Sequence, residues 1–339
     1  MNSRFFMPPE WAEHERCWMA WPCDEEQWIN GLDRARFAFS QVAHAIAEFE
    51  PVVMVCRPEH QSDARRCLSE RIQIVTMPLD DSWIRDSGPT FVFDRHGRKH
   101  GVDWTFNGWG KFPHDQDRQV ASTVLAHQSV PRIHSPLVNE GGAIHVDGRG
   151  TVLLTESVQL NANRNPGWTR HDVEQEMRRT LGATNVIWLP GGLVDDDTDG
   201  HIDELACFIG EGKILALTST DTADDNYPIL QENGRILKDS ADCDGHSWQL
   251  TRVEQPPARY VDGVRQAMSY VNFYIANQGV VMPAYGCADY DQNALGIVKN
   301  CFPDREVVQI DCQEIVLGGG NIHCITQQEP AFIKEVCFA

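Results

Sequence analysis

Short apolar runs alternate with amphipathic stretches along the whole chain. Runs with strand-like patterning predict strands over 17–21, 52–56, 72–77, 90–94, 102–106, 143–147, 151–155, 186–189, 205–209, 213–217, 271–275, 279–282, 306–310 and 322–326. Helical spacing predicts helices over 33–49, 59–70, 115–127, 169–181, 224–233, 262–268 and 290–300. The apolar face of 33–49 is read as Phe37, Val42, Ala45, Ile46 and Phe49. Thr169 stands where an N-cap belongs, ahead of an acidic helix start.

The order of these elements repeats. From residue 72 it runs strand, polar loop, two strands, helix, and then begins again. The polar loops are Trp83-Ile84-Arg85-Asp86-Ser87-Gly88-Pro89, Asn139-Glu140-Gly141-Gly142, Asp199-Gly200-His201-Ile202-Asp203 and Gly318-Gly319-Gly320-Asn321-Ile322-His323-Cys324. The spacing between Asp86, Glu140 and His201 is nearly even, and the step to Cys324 is about twice as long, which predicts a silent repeat near 269–274. Five units fill the chain if 17–56 closes on the last one. The expected fold is α/β, a five-bladed propeller of ββαβ-type repeats around a central channel, with 1–339 forming a single catalytic domain. Equivalent loops of such a ring point at one channel, so residues distant in sequence converge there. In the alternative, a linear α/β sheet, these loops never meet.

Composition narrows the class. The chain has 339 residues, 42% of them hydrophobic, enough for a sizeable core, and no apolar stretch of membrane-spanning length. Its start has no signal-peptide apolar core, so a cytoplasmic location is expected. Eleven scattered cysteines without a Cys-x-x-Cys pair fit reduced thiols and give no structural zinc pattern. The net charge of −20 disfavours nucleic acid and anionic membrane as partners and permits a cationic ligand.

Cys324 is the nucleophile candidate, His201 the proton carrier, and Asp86, Glu140 and Asp203 the carboxylates. His201 and Asp203 are two apart, so on a strand they would share a face. Several carboxylates around one small volume repel one another unless a cation neutralises them. A guanidinium fits, being planar, always charged and forked for pairwise donation to carboxylates. Asp86 and Asp203 are the candidate clamp, and Glu140 the residue that orients His201. The same acidic surroundings would raise the thiol pKa until a cationic substrate arrives.

These runs, with Ser269-Tyr270-Val271-Asn272-Phe273-Tyr274-Ile275-Ala276-Asn277 and the continuation Ile325-Thr326-Gln327-Gln328, resemble the agmatine deiminase family, within the guanidine-modifying superfamily of five-bladed α/β propellers. The resemblance runs almost from end to end. It implies hydrolysis of agmatine to N-carbamoylputrescine and ammonia, on the route to putrescine, with no cofactor and no metal. It implies Cys324 as covalent nucleophile, His201 as acid/base, and Asp86, Glu140 and Asp203 as binding and orienting carboxylates. Gly320 and Asn321 fall in the same motif and are assigned to substrate binding. Trp83, Trp109 and Asp195-Asp196-Asp197 are candidates for the amine end of the substrate, and a homodimer is the expected assembly. Two segments, 110–114 and 239–262, are shorter than is usual in the family and bear on the distal end of the substrate.

Three other readings compete. A deiminase for free arginine or peptidyl-arginine would need a carboxylate-binding arginine or a wide groove. A metal-dependent agmatine ureohydrolase would use Asp199-Gly200-His201-Ile202-Asp203 as ligands, leaving Cys324 without a role. A non-enzymatic binding protein on the same fold would have no use for a converging thiol, imidazole and carboxylates.

Overall fold

The structure, a computed structural model, describes residues 4–332. Its strands form five sheets of three or four strands and one two-stranded hairpin. Each larger sheet is built the same way: two antiparallel strands, then a helix, then a strand that returns parallel. One sheet pairs Thr90–Asp94 with Lys99–Thr105 antiparallel, and Lys99–Thr105 with Arg132–Val138 parallel. Helix Val120–His127 makes the crossover that a parallel return requires.

The pattern recurs in His145–Val146, Thr151–Thr155 and Asn185–Leu189, with helix Arg170–Leu181 between the last two. It recurs again in Ala206–Gly210, Lys213–Thr218 and Gln249–Glu254, crossing by helix Tyr227–Asp239. Strands Tyr274–Ile275, Gly279–Ala284 and Glu306–Asp311 follow, crossing by Ala288–Cys301. The fifth sheet joins the two ends of the described chain. Thr326–Pro330 pairs antiparallel with His14–Ala20, Thr326 opposite Met19, and helix Leu32–Ala47 then leads to Val52–Cys56. Many strands, such as Val52–Cys56, Thr90–Asp94 and Thr151–Thr155, are buried along their full length, as strands covered on both faces must be.

Thr169 caps its helix as expected, and its capping box is completed by Asp172. Several expectations are corrected. Phe37 is 66% exposed; the buried face of its helix is Ala35, Phe39, Val42 and Ile46, the set that recurs at three and four residues. The segment 262–268 is not helical. Tyr260–Val261 and Val264–Arg265 form a hairpin, because Asp262-Gly263 adopts the two positive φ angles of a tight primed turn (50° and 84°). Strand Gln249–Glu254 lies outside the expected ones, and of Arg132–Val138 only Arg132-Ile133 is read as a strand; burial alternates along the latter, but Ser135 stands at an inward position where an apolar residue would mark it. The strand expected over 322–326 starts only at Thr326, so Cys324 lies in the turn before it.

A single relation places the site. The turn ahead of the first strand of each sheet holds one of the polar motifs: Ile84–Ser87, Gly141–Ala143, Ile202–Glu204, the 269–272 segment and the 320–324 segment.

Candidate active site

Backbone geometry brings these turns into contact. The Arg85 N–H donates to the Cys324 carbonyl, 3.2 Å away, and the His323 N–H donates to Asn272 Oδ1, 2.8 Å away. Gly142 is the point of closest approach. A Cβ there would stand 2.6 Å from His201 Nδ1 and 2.9 Å from both Asp203 Oδ2 and Asp86 Oδ1, so only glycine lets the three side chains meet.

Asp86 is fixed by two donors, the Gly142 N–H on Oδ1 and Trp109 Nε1 on Oδ2, each at 2.9 Å. His201 lies between carboxylates, Nδ1 3.8 Å from Asp86 Oδ2 and Nε2 3.5 Å from Glu140 Oε2. His201 follows Asp199 and Gly200, both at positive φ (68° and 111°). Asp199 is held in that conformation by Lys111, Asn163 and Arg164, which take up both of its oxygens. Asp203 leads with a 3₁₀ turn, Ile202–Glu204, and not a strand, which corrects the same-face argument; convergence with His201 comes from the turn packing on Gly142.

Cys324 is 7% exposed. Its Sγ lies 3.7 Å from Asp203 Oδ2, 3.8 Å from Glu204 Oε1 and 3.3 Å from Asn272 Nδ2. Burial first, and then Asp203, Glu204 and Asp86, push its thiol well above its ordinary pKa of 9. Burial acts to lower the His201 pKa, but Asp86, Glu140 and Asp203 outweigh it and raise it to about 9. A protonated imidazole and a neutral thiol therefore coexist at neutral pH. Both His201 nitrogens, Asp203 Oδ1, Glu140 Oε2 and Glu204 Oε2 are buried with no hydrogen-bond partner. So many unspent polar atoms in one place mark a site for a polar ligand.

A cleft with about 690 Å³ of empty volume opens onto Cys324. Trp83, Trp109, Gly320, Asp86 and Asp197 line it, with Phe112 and Pro113 from the short 110–114 segment. Trp83 presses against Gly320, where a Cβ would stand 2.6 Å from its ring. Of the acidic triplet, only Asp197 reaches the cleft. Asp196 binds Thr198, and Asp195 accepts from the Arg265 N–H. Asp24, Asp80 and Asp81 add further acid to its lining.

Asn321 stands in the motif turn ahead of Cys324. It is fully buried, and its side chain is spent on Glu204 Oε1, the Ala267 carbonyl and the Tyr285 hydroxyl. The 269–274 segment is not silent either, since Asn272 touches the thiol. Sequence reasoning missed Asn272, Glu204 and Arg164. Asn272 had a signal, standing where the other units carry their polar residue. Glu204 adjoins Asp203 but lies one residue past the motif read there. Arg164 lies in a segment without periodicity, so nothing local marked it.

The repeated sheets and the buried thiol–imidazole–carboxylate cluster define a mixed α/β enzyme of the pentein fold. The family model for Porphyromonas-type peptidyl-arginine deiminase matches residues 6–330, and the chain belongs to that family. The agmatine deiminase of Ectopseudomonas mendocina (strain ymp) is 41% identical over 96% of this chain and 96% of its own. That of Pseudomonas aeruginosa (strain LESB58) is 41% identical with the same coverage. The solved agmatine deiminase of Enterococcus faecalis superposes with a TM-score of 0.93 at 36% identity, covering 97% of each chain.

Proposed function

We propose that this chain hydrolyses agmatine to N-carbamoylputrescine and ammonia through a covalent cysteine intermediate, a step toward putrescine. The observation that carries the reading is Cys324 Sγ within 4 Å of Asp203 and Glu204, in a cluster that also holds His201 and Asp86. The likeness to agmatine deiminases supports the choice of substrate.

Asp86 and Asp203 pair with the guanidinium nitrogens and hold its charge at the central carbon. The bound cation offsets the negative surroundings of the thiol, which releases its proton to solvent through the cleft, and the sulfur attacks that carbon. A C–N bond breaks, and His201, protonated in the free protein, donates the proton that lets ammonia leave. His201 then takes a proton from water as the water attacks the amidino-thioether. The C–S bond breaks, the hydroxyl proton passes to the departing sulfur to restore the thiol, and the neutral ureido product departs. Glu140, paired with Arg164, keeps His201 charged and oriented. Gly320 lines the cleft beside the sulfur and makes room for the Trp83 ring, and Trp83 and Trp109 flank the substrate. Asp197 faces the amine end.

The same reading takes the five larger sheets as five blades around a channel that carries the site, with 1–339 as a single catalytic domain. Ten free cysteines among the described residues favour a reducing compartment such as the cytoplasm, and no helix described is long and apolar enough to cross a membrane. A homodimer completes the proposal.

The test is a colorimetric ureido-product assay over agmatine, free arginine, a peptidyl-arginine and guanidino-amines of other lengths. Agmatine is expected to give the highest kcat/KM. A higher value for arginine or the peptide would overturn the assignment of substrate.

A further inference from the structure

A second row of buried charge stands behind Asp203, and the chemistry above does not use it. His323 places Nδ1 2.8 Å from Asp203 Oδ2, and Nε2 2.9 and 3.1 Å from the two oxygens of Glu10. Carboxylates accept and do not donate, so a ring facing one on each side donates from both nitrogens and is an imidazolium. Glu10 comes from the N-terminal segment and gathers further donors. Arg85 Nη1 lies 3.5 Å from Oε1, and His145 Nε2 lies 3.5 Å from Oε2. His145 Nδ1 accepts from the Phe208 N–H, which leaves its Nε2 protonated toward Glu10. Arg85 Nε also donates to the His323 carbonyl. Glu10, Arg85, His145 and His323 are each 4% exposed or less.

The row matters because of what crowds Asp203 on its other side. Asp86, Glu140 and Glu204 share the same volume, with Cys324 and His201 among them. Glu140 has Arg164 as its counter-ion. Asp203 has His323, whose bond occupies Oδ2 and leaves Oδ1 buried with no protein partner. An oxygen so placed accepts from a guanidinium only while the group stays a carboxylate.

We infer that His323, backed by Glu10, is a positioning residue that holds Asp203 as the carboxylate and turns Oδ1 toward the guanidinium. The inference rests on the proposed role of Asp203 as a guanidinium ligand. Without the His323 charge, the neighbouring acids would favour protonation of Asp203, and acid would weaken substrate binding sooner. An opposite charge at hydrogen-bond distance holds a carboxyl down by about one to three pH units, so the effect is readable.

The experiment is calorimetric titration of agmatine into Cys324→Ser protein between about pH 5 and pH 9, which spans the range of displaced carboxyl and imidazole groups. It is repeated with His323→Gln and with Glu10→Gln added. His323→Gln is expected to move the acid midpoint of binding upward by about one pH unit or more. Glu10→Gln is expected to move it the same way by less, and serves alone if His323→Gln does not fold. A lost packing contact would weaken binding equally at all pH values. Unmoved midpoints in a protein that still binds agmatine overturn the inference and leave the proposed function standing. No binding by the Cys324→Ser parent at any pH overturns both.

Discussion

Arg164 Nε donates to Glu140 Oε1 over 2.9 Å, and neither side chain has any exposed surface. The same guanidinium bonds Asp199 Oδ2 at 2.7 Å and the Thr198 carbonyl at 2.8 Å. Thr198 Oγ1 in turn accepts from the His201 N–H. One buried cation therefore fixes both the carboxylate beside His201 and the loop that carries His201.

Replacing Arg164 by Gln is expected to cost about 3–5 kcal/mol of stability, because it breaks the buried pair with Glu140, a loss that His201 beside the other oxygen offsets only in part. Urea unfolding reads this as a lower midpoint at unchanged slope. A midpoint equal to that of the parent would mean that Glu140 does not depend on Arg164.

Glu204 sits 3.8 Å from the thiol, with Oε1 held by Asn272 and Asn321 and Oε2 unpaired. Burial, and then Asp203, raise its pKa well above the ordinary 4.5. After burial and Asp203, Glu204 is among the groups that push the Cys324 thiol up, so its carboxyl opposes the thiolate. Glu204→Gln should therefore make Cys324 more acidic by about one pH unit or more. Iodoacetamide labelling of Cys324, followed against pH, should reach its half-maximal rate at lower pH in the variant. A rate profile that stays put, or moves to higher pH, would contradict the arrangement.

His201 titrates at about 9 in the folded chain against 6.5 as a free side chain. A pKa raised by folding contributes stability that is complete below 6.5 and is lost as pH rises through about 9. The excess of Tm over a His201→Gln variant should be largest below pH 6.5 and shrink toward pH 9. Thermal melts across that window measure it. A constant difference would place the imidazole in a neutral state throughout.

Much of this was legible before any coordinates. The even spacing of Asp86, Glu140 and His201 anticipated five similar sheets, because each unit repeats one sequence of elements. The triple glycine before Cys324 stood out in the sequence, but not what lies against it: the room that Gly320 leaves is taken by the Trp83 ring. The illegible parts share a cause. Phe37 misled because hydrophobicity alone does not say which side of a helix meets the core. Arg164, Glu10 and His323 act through partners up to about three hundred residues away in the chain, and no local pattern encodes such a pairing. Asn321 lies within the motif, yet its side chain is spent on neighbours, since a motif position does not reveal which groups it bonds.

In the proposed reaction, sulfur and guanidine carbon become bonded. Acid-quenching the enzyme during turnover of agmatine, followed by peptide mass spectrometry, tests it most directly. The peptide containing Cys324 should carry one amidino group, and Cys324→Ser should show neither the adduct nor turnover. Turnover by Cys324→Ser at the parental rate, with the Cys324 peptide unmodified in the parent, would contradict it.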